Sequence, residues 1–212
     1  LTNPPFGTKG AGGAPSRDDF LVSTANKQLN FVQHAMTILK QGGQAAIVVP
    51  DNVLFESSGK RIRENLMKSC DLHTILRLPE GTFSPYSAGV RANVIFFTKG
   101  QHTKETWIYD LRTNIDNINK GNPLTDNLFE EFEKCYSNKP RKEIKRFRKY
   151  TKEKIEERDY NLDIIFLKDT NLEENDKIPK PNDIVNEIKK SLKTALDAID
   201  ELTIKFSKTS KY

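Results

Sequence analysis

The run Ala45-Ala46-Ile47-Val48-Val49, closed by Pro50, decides the fold. Five consecutive apolar residues without polar alternation are the pattern of a strand buried on both faces, and proline, which cannot donate to a ladder, marks its end. Upstream, Leu29, Phe31, Val32, Ala35, Met36, Ile38 and Leu39 recur at helical spacing, with Gly42-Gly43 as the expected stop. Downstream, Ser57-Ser58-Gly59 precedes a second amphipathic helix with Ile62, Leu66 and Met67 on one side. Residues 72–78, 93–98 and 106–111 read as further strands. Helix and strand alternate, so residues 1–111 predict one α/β half-sheet, the second half of a larger one, with helices on both faces.

Beyond Arg112 the composition shifts to Asn, Lys, Asp and Glu, and residues 112–180 are expected to form a basic connecting region with a short helix over 124–136. Within it, the stretch from Lys139 to Lys154 holds nine basic and two acidic side chains, more positive charge than the net +5 of all 212 residues. Interleaved with Phe147 and Tyr150, that run suits the neutralisation of DNA phosphates, and equally a solvated charged face. From Pro181-Asn182 onward, Val185, Ile188, Leu192, Ala195, Ile199, Leu202 and Phe206 repeat at alternating steps of 3 and 4. Residues 181–212 therefore predict a coiled-coil-like helical extension. Residues 7–28, with four glycines and no periodicity, are expected to be a long mobile loop.

No stretch approaches the roughly 20 apolar residues that cross a bilayer, and no apolar leader opens the chain, so a cytoplasmic protein without membrane attachment is expected. Cys70 and Cys135 lack CxxC spacing, which argues against a disulfide framework or a zinc knuckle, and no metal site is expected. His34, His73 and His102 have no partnered carboxylate in view and read as packing or surface residues. Asp51-Asn52 reads as a helix cap more readily than as a substrate contact.

The chemistry concentrates in Asn3-Pro4-Pro5-Phe6. At about 5% proline a Pro-Pro pair is expected by chance roughly once in two such chains, but Asn before it and an aromatic after it lower the chance by about two orders of magnitude. The bland alternative is an Asx-type turn ending a strand. The sharp one is an acceptor site for an aromatic amine. The lone pair of such an amine is conjugated into its ring. Two oxygens accepting from its N–H bonds favour a tetrahedral nitrogen and stabilise positive charge as it attacks a methyl group, at roughly 1.5–3 kcal/mol per hydrogen bond. Asn3 supplies an amide oxygen and Pro4 a carbonyl, held in advance because proline fixes φ. Phe6 offers a face for an extruded base, worth about 1–3 kcal/mol.

These residues resemble the adenine-N6 amino-methyltransferases, and specifically the modification subunits of type I restriction-modification systems. The resemblance is carried by TNPPFG, by the glycine-rich loop, by QAAIVVPDNVLF with the basic helix KRIRENLM, by ILRLPEGTFSPYSAGVRANVIFF and by ERDYNLD at 157–163. It implies a partial Rossmann-like class I methyltransferase sheet and a site-specific, adenine-specific DNA methyltransferase using S-adenosylmethionine. Asn3 and Pro4 would bind the target amine, Pro5 would line its site, and Phe6 and Phe83 would contact the flipped base. It further implies DNA, a DNA-specificity subunit docked on the C-terminal helix, and a restriction subunit as partners. The family's cofactor motifs lie upstream of Asn-Pro-Pro. Gly10 to Gly13 follows no strand and opens no helix, so the chain is expected to be a carboxyl-terminal fragment, with its cofactor residues unassigned, and inactive alone. Two alternatives stand beside it: a protein glutamine-amide methyltransferase, and a non-catalytic interaction module.

Overall fold

The computed structural model describes residues 1–6, 17–84 and 89–168. The described part is one compact unit, Leu1–Lys168. The heptad stripe from Val185 to Phe206 and residues 7–16 of the glycine-rich stretch, with its four glycines, lie outside the described residues.

Helix α1 (Lys27–Ile38) starts where Asn26 accepts from the N–H groups of Gln28 and Leu29, and it buries Leu29, Val32 and Met36. It ends before Gly42-Gly43, because the turn at Lys40–Gly43 extends the neighbouring ladder. Gly42 N–H donates to Lys99 O at 2.9 Å, and Lys99 N–H donates to Gly43 O at 2.9 Å. Strand β1 (Gln44–Pro50) leads into the short helix α2 (Asp51–Phe55), then α3 (Lys60–Ser69), β2 (Cys70–Arg77), β3 (Ala92–Lys99) and β4 (Glu105–Asp110). Helix α4 (Glu130–Ser137), strand β5 (Phe147–Thr151) and helix α5 (Lys152–Glu157) follow.

The sheet order is β1-β3-β2-β4-β5. β3 pairs antiparallel with both β1 and β2, β2 pairs parallel with β4, and β5 closes the edge antiparallel to β4. The compositional boundary after Leu111 is therefore not a structural one. The basic run supplies an edge strand and a helix to the same unit. Charged side chains such as the exposed Arg148 and Lys149 suit an edge, where they oppose pairing with another chain.

Each strand divides its side chains between two cores. On one face, Ile47, Val49, Leu72, Ile75, Ile95, Phe97 and Ile108 pack under Leu29 and Val32 of α1 and Ile62, Leu66 and Met67 of α3. α1 and α3 approach closely at Gly59, where a Cβ would lie 2.8 Å from both Leu29 Cδ2 and Arg63 Nη1. On the other face, Leu76, Leu78, Trp107, Tyr109 and Phe147 pack with Phe132 of α4. β1 is not fully buried on both faces as its sequence suggests. Ile47 and Val49 are covered, whereas Ala46 and Val48 are half-buried, since the described helix on that side, α4, meets the sheet at Phe96 rather than at β1.

The ERDYNLD segment locks the end of the unit in place. Asp159 and Tyr160 adopt left-handed φ values of 58° and 56°. This turns the Tyr160 carbonyl toward buried Arg63, whose Nε donates to it at 2.7 Å, while Nη1 donates to Val53 O at 3.1 Å and Glu56 O at 2.9 Å. Burial lowers the Arg63 pKa to about 10, so the group stays charged at neutral pH. Arg63→Ala strips three carbonyls of their donor and is expected to destabilise the unit by about 3 kcal/mol. Urea unfolding checks this as a fall in midpoint at unchanged slope, set against the exposed control Lys68→Ala.

Candidate functional site

Thr2 forms a parallel bridge with Ile47: its N–H donates to Ala46 O at 3.0 Å and its carbonyl accepts from Val48 N–H at 3.0 Å. Asn3-Pro4-Pro5-Phe6 thus leaves β1's outer edge heading toward the carboxyl end of that strand, the end at which open α/β sheets bind ligands. Pro4 is buried and Asn3 exposed. Among the described residues nothing hydrogen-bonds to the Asn3 amide, so it is not engaged in the Asx turn of the bland reading. The Pro5 carbonyl accepts from Gln28 Nε2 at 3.4 Å, a contact that ties the tetrapeptide to α1.

Phe83 reaches the same place from the loop between β2 and β3. Its ring lies 5.1 Å from that of Phe6, centroid to centroid, at an interplanar angle of 90°. An edge-to-face pair of this kind contributes about 0.5–1.5 kcal/mol. A base sandwiched between the two rings needs them roughly 7–8 Å apart, so the described arrangement is closed and must open to admit one. The loop base is a tight turn: Thr82 Oγ1 donates to Pro79 O at 2.7 Å and Ser84 N–H to Gly81 O at 2.8 Å. Gly81 has φ +77°, and a Cβ there would lie 2.1 Å from Ile118 O, so only glycine fits.

Beneath the site is a buried polar cluster that the sequence does not announce. Asp51, rather than capping a helix or facing substrate, pairs through both oxygens with Arg112 at 2.7 and 2.9 Å and accepts from Asn93 Nδ2 at 2.8 Å. Burial alone would raise the Asp51 carboxyl, but the Arg112 hydrogen bonds and charge outweigh it and hold the pKa below its ordinary value. Asn52 reaches back along α2 to Glu56 Oε1 at 3.1 Å. Asp110 Oδ1 accepts from the N–H groups of Arg112 and Thr113, each at 2.8 Å. The one cue in sequence is that a lone acid directly after an apolar strand needs a counter-ion. Nothing there says which.

Part of the basic run serves the fold. Arg141 Nη1 donates to His73 O at 3.1 Å, and Arg146 Nη1 donates to Asp110 O at 2.9 Å and Thr113 O at 2.8 Å. Arg148, Lys149 and Lys152 pair with Glu143, Glu105 and Glu156. A cleft of about 950 Å³ lies at the opposite end of the sheet, between the starts of β2 and β4, and is lined by Asp71, His73, Trp107 and Arg141 among others. It contains none of the predicted site residues. Burial raises the thiol pKa of Cys70 and of Cys135, which leaves both protonated at neutral pH. Among the described residues no group of His, Cys, Asp and Glu could hold a metal ion, and no helix is long and apolar enough to cross a membrane.

The partial class I methyltransferase sheet and the Asn-Pro-Pro-Phe edge define the class. The pattern of the N-6 DNA methylase family matches residues 1–176, and the chain belongs to that family. It is 39% identical to the EcoKI type I restriction enzyme methylase subunit of Escherichia coli K12, over 95% of this chain and 45% of that protein. The crystal structure of the EcoKI M protein superposes with a TM-score of 0.73 at 38% identity, covering 96% of this chain and 49% of that one. A modification subunit of a putative type I restriction enzyme from Vibrio vulnificus gives a TM-score of 0.62 at 32% identity over 72% of this chain and 33% of its own. The chain thus spans about half the length of its relatives or less.

His73 is an internal pH probe of this architecture. Burial first, then the charges of Arg141 and Lys139, lower its pKa to about 4, and its ring bonds Thr74 Oγ1 at 2.9 Å. The unfolded chain takes up this proton near pH 6.5 and the folded chain only near 4, so the contribution to stability is full above about 6.5 and is lost as pH falls through 4. His73→Gln is expected to flatten the stability profile between pH 6.5 and 4 in chemical denaturation. A profile unchanged by the substitution would contradict this.

Proposed function

We propose that this chain forms the amine-accepting half of a type I modification subunit, an adenine-N6 DNA methyltransferase. The observation that carries the reading is the convergence of Asn3-Pro4-Pro5-Phe6 and Phe83 at the carboxyl end of β1, with the two rings 5.1 Å apart. Asn3 Oδ1 and Pro4 O accept the two N–H bonds of the exocyclic amine, which localises its lone pair, and Pro5 lines the slot. Phe6 and Phe83 replace the stacking that the base loses on leaving the duplex, a cost of a few kcal/mol.

S-adenosylmethionine is the methyl donor expected for the whole protein, and when bound it supplies the electrophilic carbon. Its expected cradle is a glycine turn between a strand and a helix. None of the described glycines both follows a strand and opens a helix: Gly42-Gly43 precedes β1, Gly59 follows a helix, Gly81 and Gly89 sit in the Phe83 loop, Gly100 leads from strand to strand, and Gly121 lies in the connection between β4 and α4. The donor is therefore assigned to parts of the protein outside the described residues. By the family resemblance, the partners of the whole protein are DNA, a specificity subunit and a restriction subunit in the cytoplasm, with the Val185–Phe206 stripe as the docking segment. The choice of DNA over protein rests on family membership rather than on the charge of the basic run, two of whose arginines, Arg141 and Arg146, serve the fold.

The test uses the complete modification complex and follows methyl incorporation into DNA and into protein. Asn3→Ala is expected to lower kcat by about 100-fold or more while folding persists, and Phe83→Ala is expected to cost about 1–3 kcal/mol in transition-state binding. Methylation of protein instead of DNA would support the glutamine-amide alternative, and an Asn3→Ala complex with full activity would leave only a scaffold role.

A further inference from the structure

The loop that carries Phe83 leaves the sheet after β2 and returns at β3, and its two ends meet: Leu78 N–H donates to Ala92 O at 3.0 Å. Arg112 grips the same neck. Its Nε donates to Leu78 O at 3.0 Å and its Nη2 to Ala92 O at 2.8 Å. The remaining edge of the guanidinium holds Asp51 at two points, 2.7 and 2.9 Å, while the Asp51 backbone N–H donates to Arg91 O at 3.0 Å. Asp51 is the residue that follows β1, and β1 is the strand to which Thr2, and through it Asn3–Phe6, is bridged. A single planar group, with its side chain only 7% exposed, therefore spans from the root of the Phe83 loop to the strand that carries the tetrapeptide.

We propose that Arg112, anchored by Asp51, is a positioning residue of the acceptor site: it touches neither base nor acceptor oxygens, and acts by fixing the root of the loop so that Phe83 is held on the Phe6 side of the sheet, where it faces the base. The proposal rests on the reading of Asn3–Phe6 as that site. The arrangement needs a planar fork of donors. Lysine keeps the charge but cannot reach two loop carbonyls and both carboxylate oxygens at once. The neck is also buttressed from the side, since Ile118 N–H donates to Glu80 O at 2.8 Å.

The experiment uses the complete modification complex and DNA with 2-aminopurine at the target adenine, whose emission reports extrusion of the base; methyl transfer is measured on unmodified DNA. For R112K the complex should assemble with an unchanged KM for S-adenosylmethionine, a kcat lowered at least tenfold, and an altered emission change on binding. D51N should do the same, and the R112K/D51N double variant should fall no further than the worse single variant, because the two side chains act as one unit. Gly81→Ala reaches the loop base by another route, through the 2.1 Å approach to Ile118 O with the ion pair untouched, and should reproduce both the kcat loss and the altered emission. If R112K does not fold, D51N and Gly81→Ala carry the test. Wild-type kcat and emission in folded R112K, or in folded D51N, would overturn the proposal. Asn3→Ala separates the two claims: if it retains full methyl transfer, the acceptor-site reading fails; if it is inactive while R112K behaves as wild type, only the positioning role fails.

Discussion

The Asp51–Arg112 pair is the interaction on which the working edge of this protein depends. Their side chains are 18% and 7% exposed, and withdrawing such charges from water costs several kcal/mol per ion. Mutual attraction alone seldom offsets that. Here the guanidinium also satisfies two backbone carbonyls, and the carboxylate accepts from Asn93, so the pair completes a network. The four segments it joins are the residue after β1, the exit of β2, the entry of β3 and the exit of β4.

That junction exists because β3 runs antiparallel between β1 and β2. The insertion brings the end of β1, the end of β2 and the start of β3 to one edge of the sheet, and β4, parallel to β2, ends there too. The Phe83 loop emerges from the same edge, and the Asn3–Phe6 segment runs toward it along β1. The cleft at the opposite end of the sheet contains none of the proposed acceptor groups.

The alternation of helix and strand to residue 111 was legible because each element has its own local signature: the apolar run at 45–49, the helical stripe of Ile62, Leu66 and Met67, the alternation at 72–78. β5 was not. In Phe147-Arg148-Lys149-Tyr150-Thr151 only Phe147 is fully buried and the rest serve an edge, so the strand reads as a charged run. Composition likewise cannot show that Arg141 and Arg146, earlier in the basic run, donate to backbone carbonyls. Asn3, Pro4 and Phe6 stand out in sequence by motif and Phe83 only by resemblance to the family, since nothing in chain spacing places Phe83 against Phe6. Arg112 and Gln28 carry no local signature at all: their roles come from partners far along the chain, and strand order alone creates those contacts.

The most direct measurement of the central claim is a structure of the complete complex on its DNA, with a cofactor analogue bound. The account predicts the target adenine extruded, its exocyclic nitrogen within about 3.2 Å of both Asn3 Oδ1 and Pro4 O, and its ring against Phe6 with Phe83 displaced from the edge-on contact seen here. An adenine whose amine is held by other groups, with Asn3 facing solvent, would contradict it.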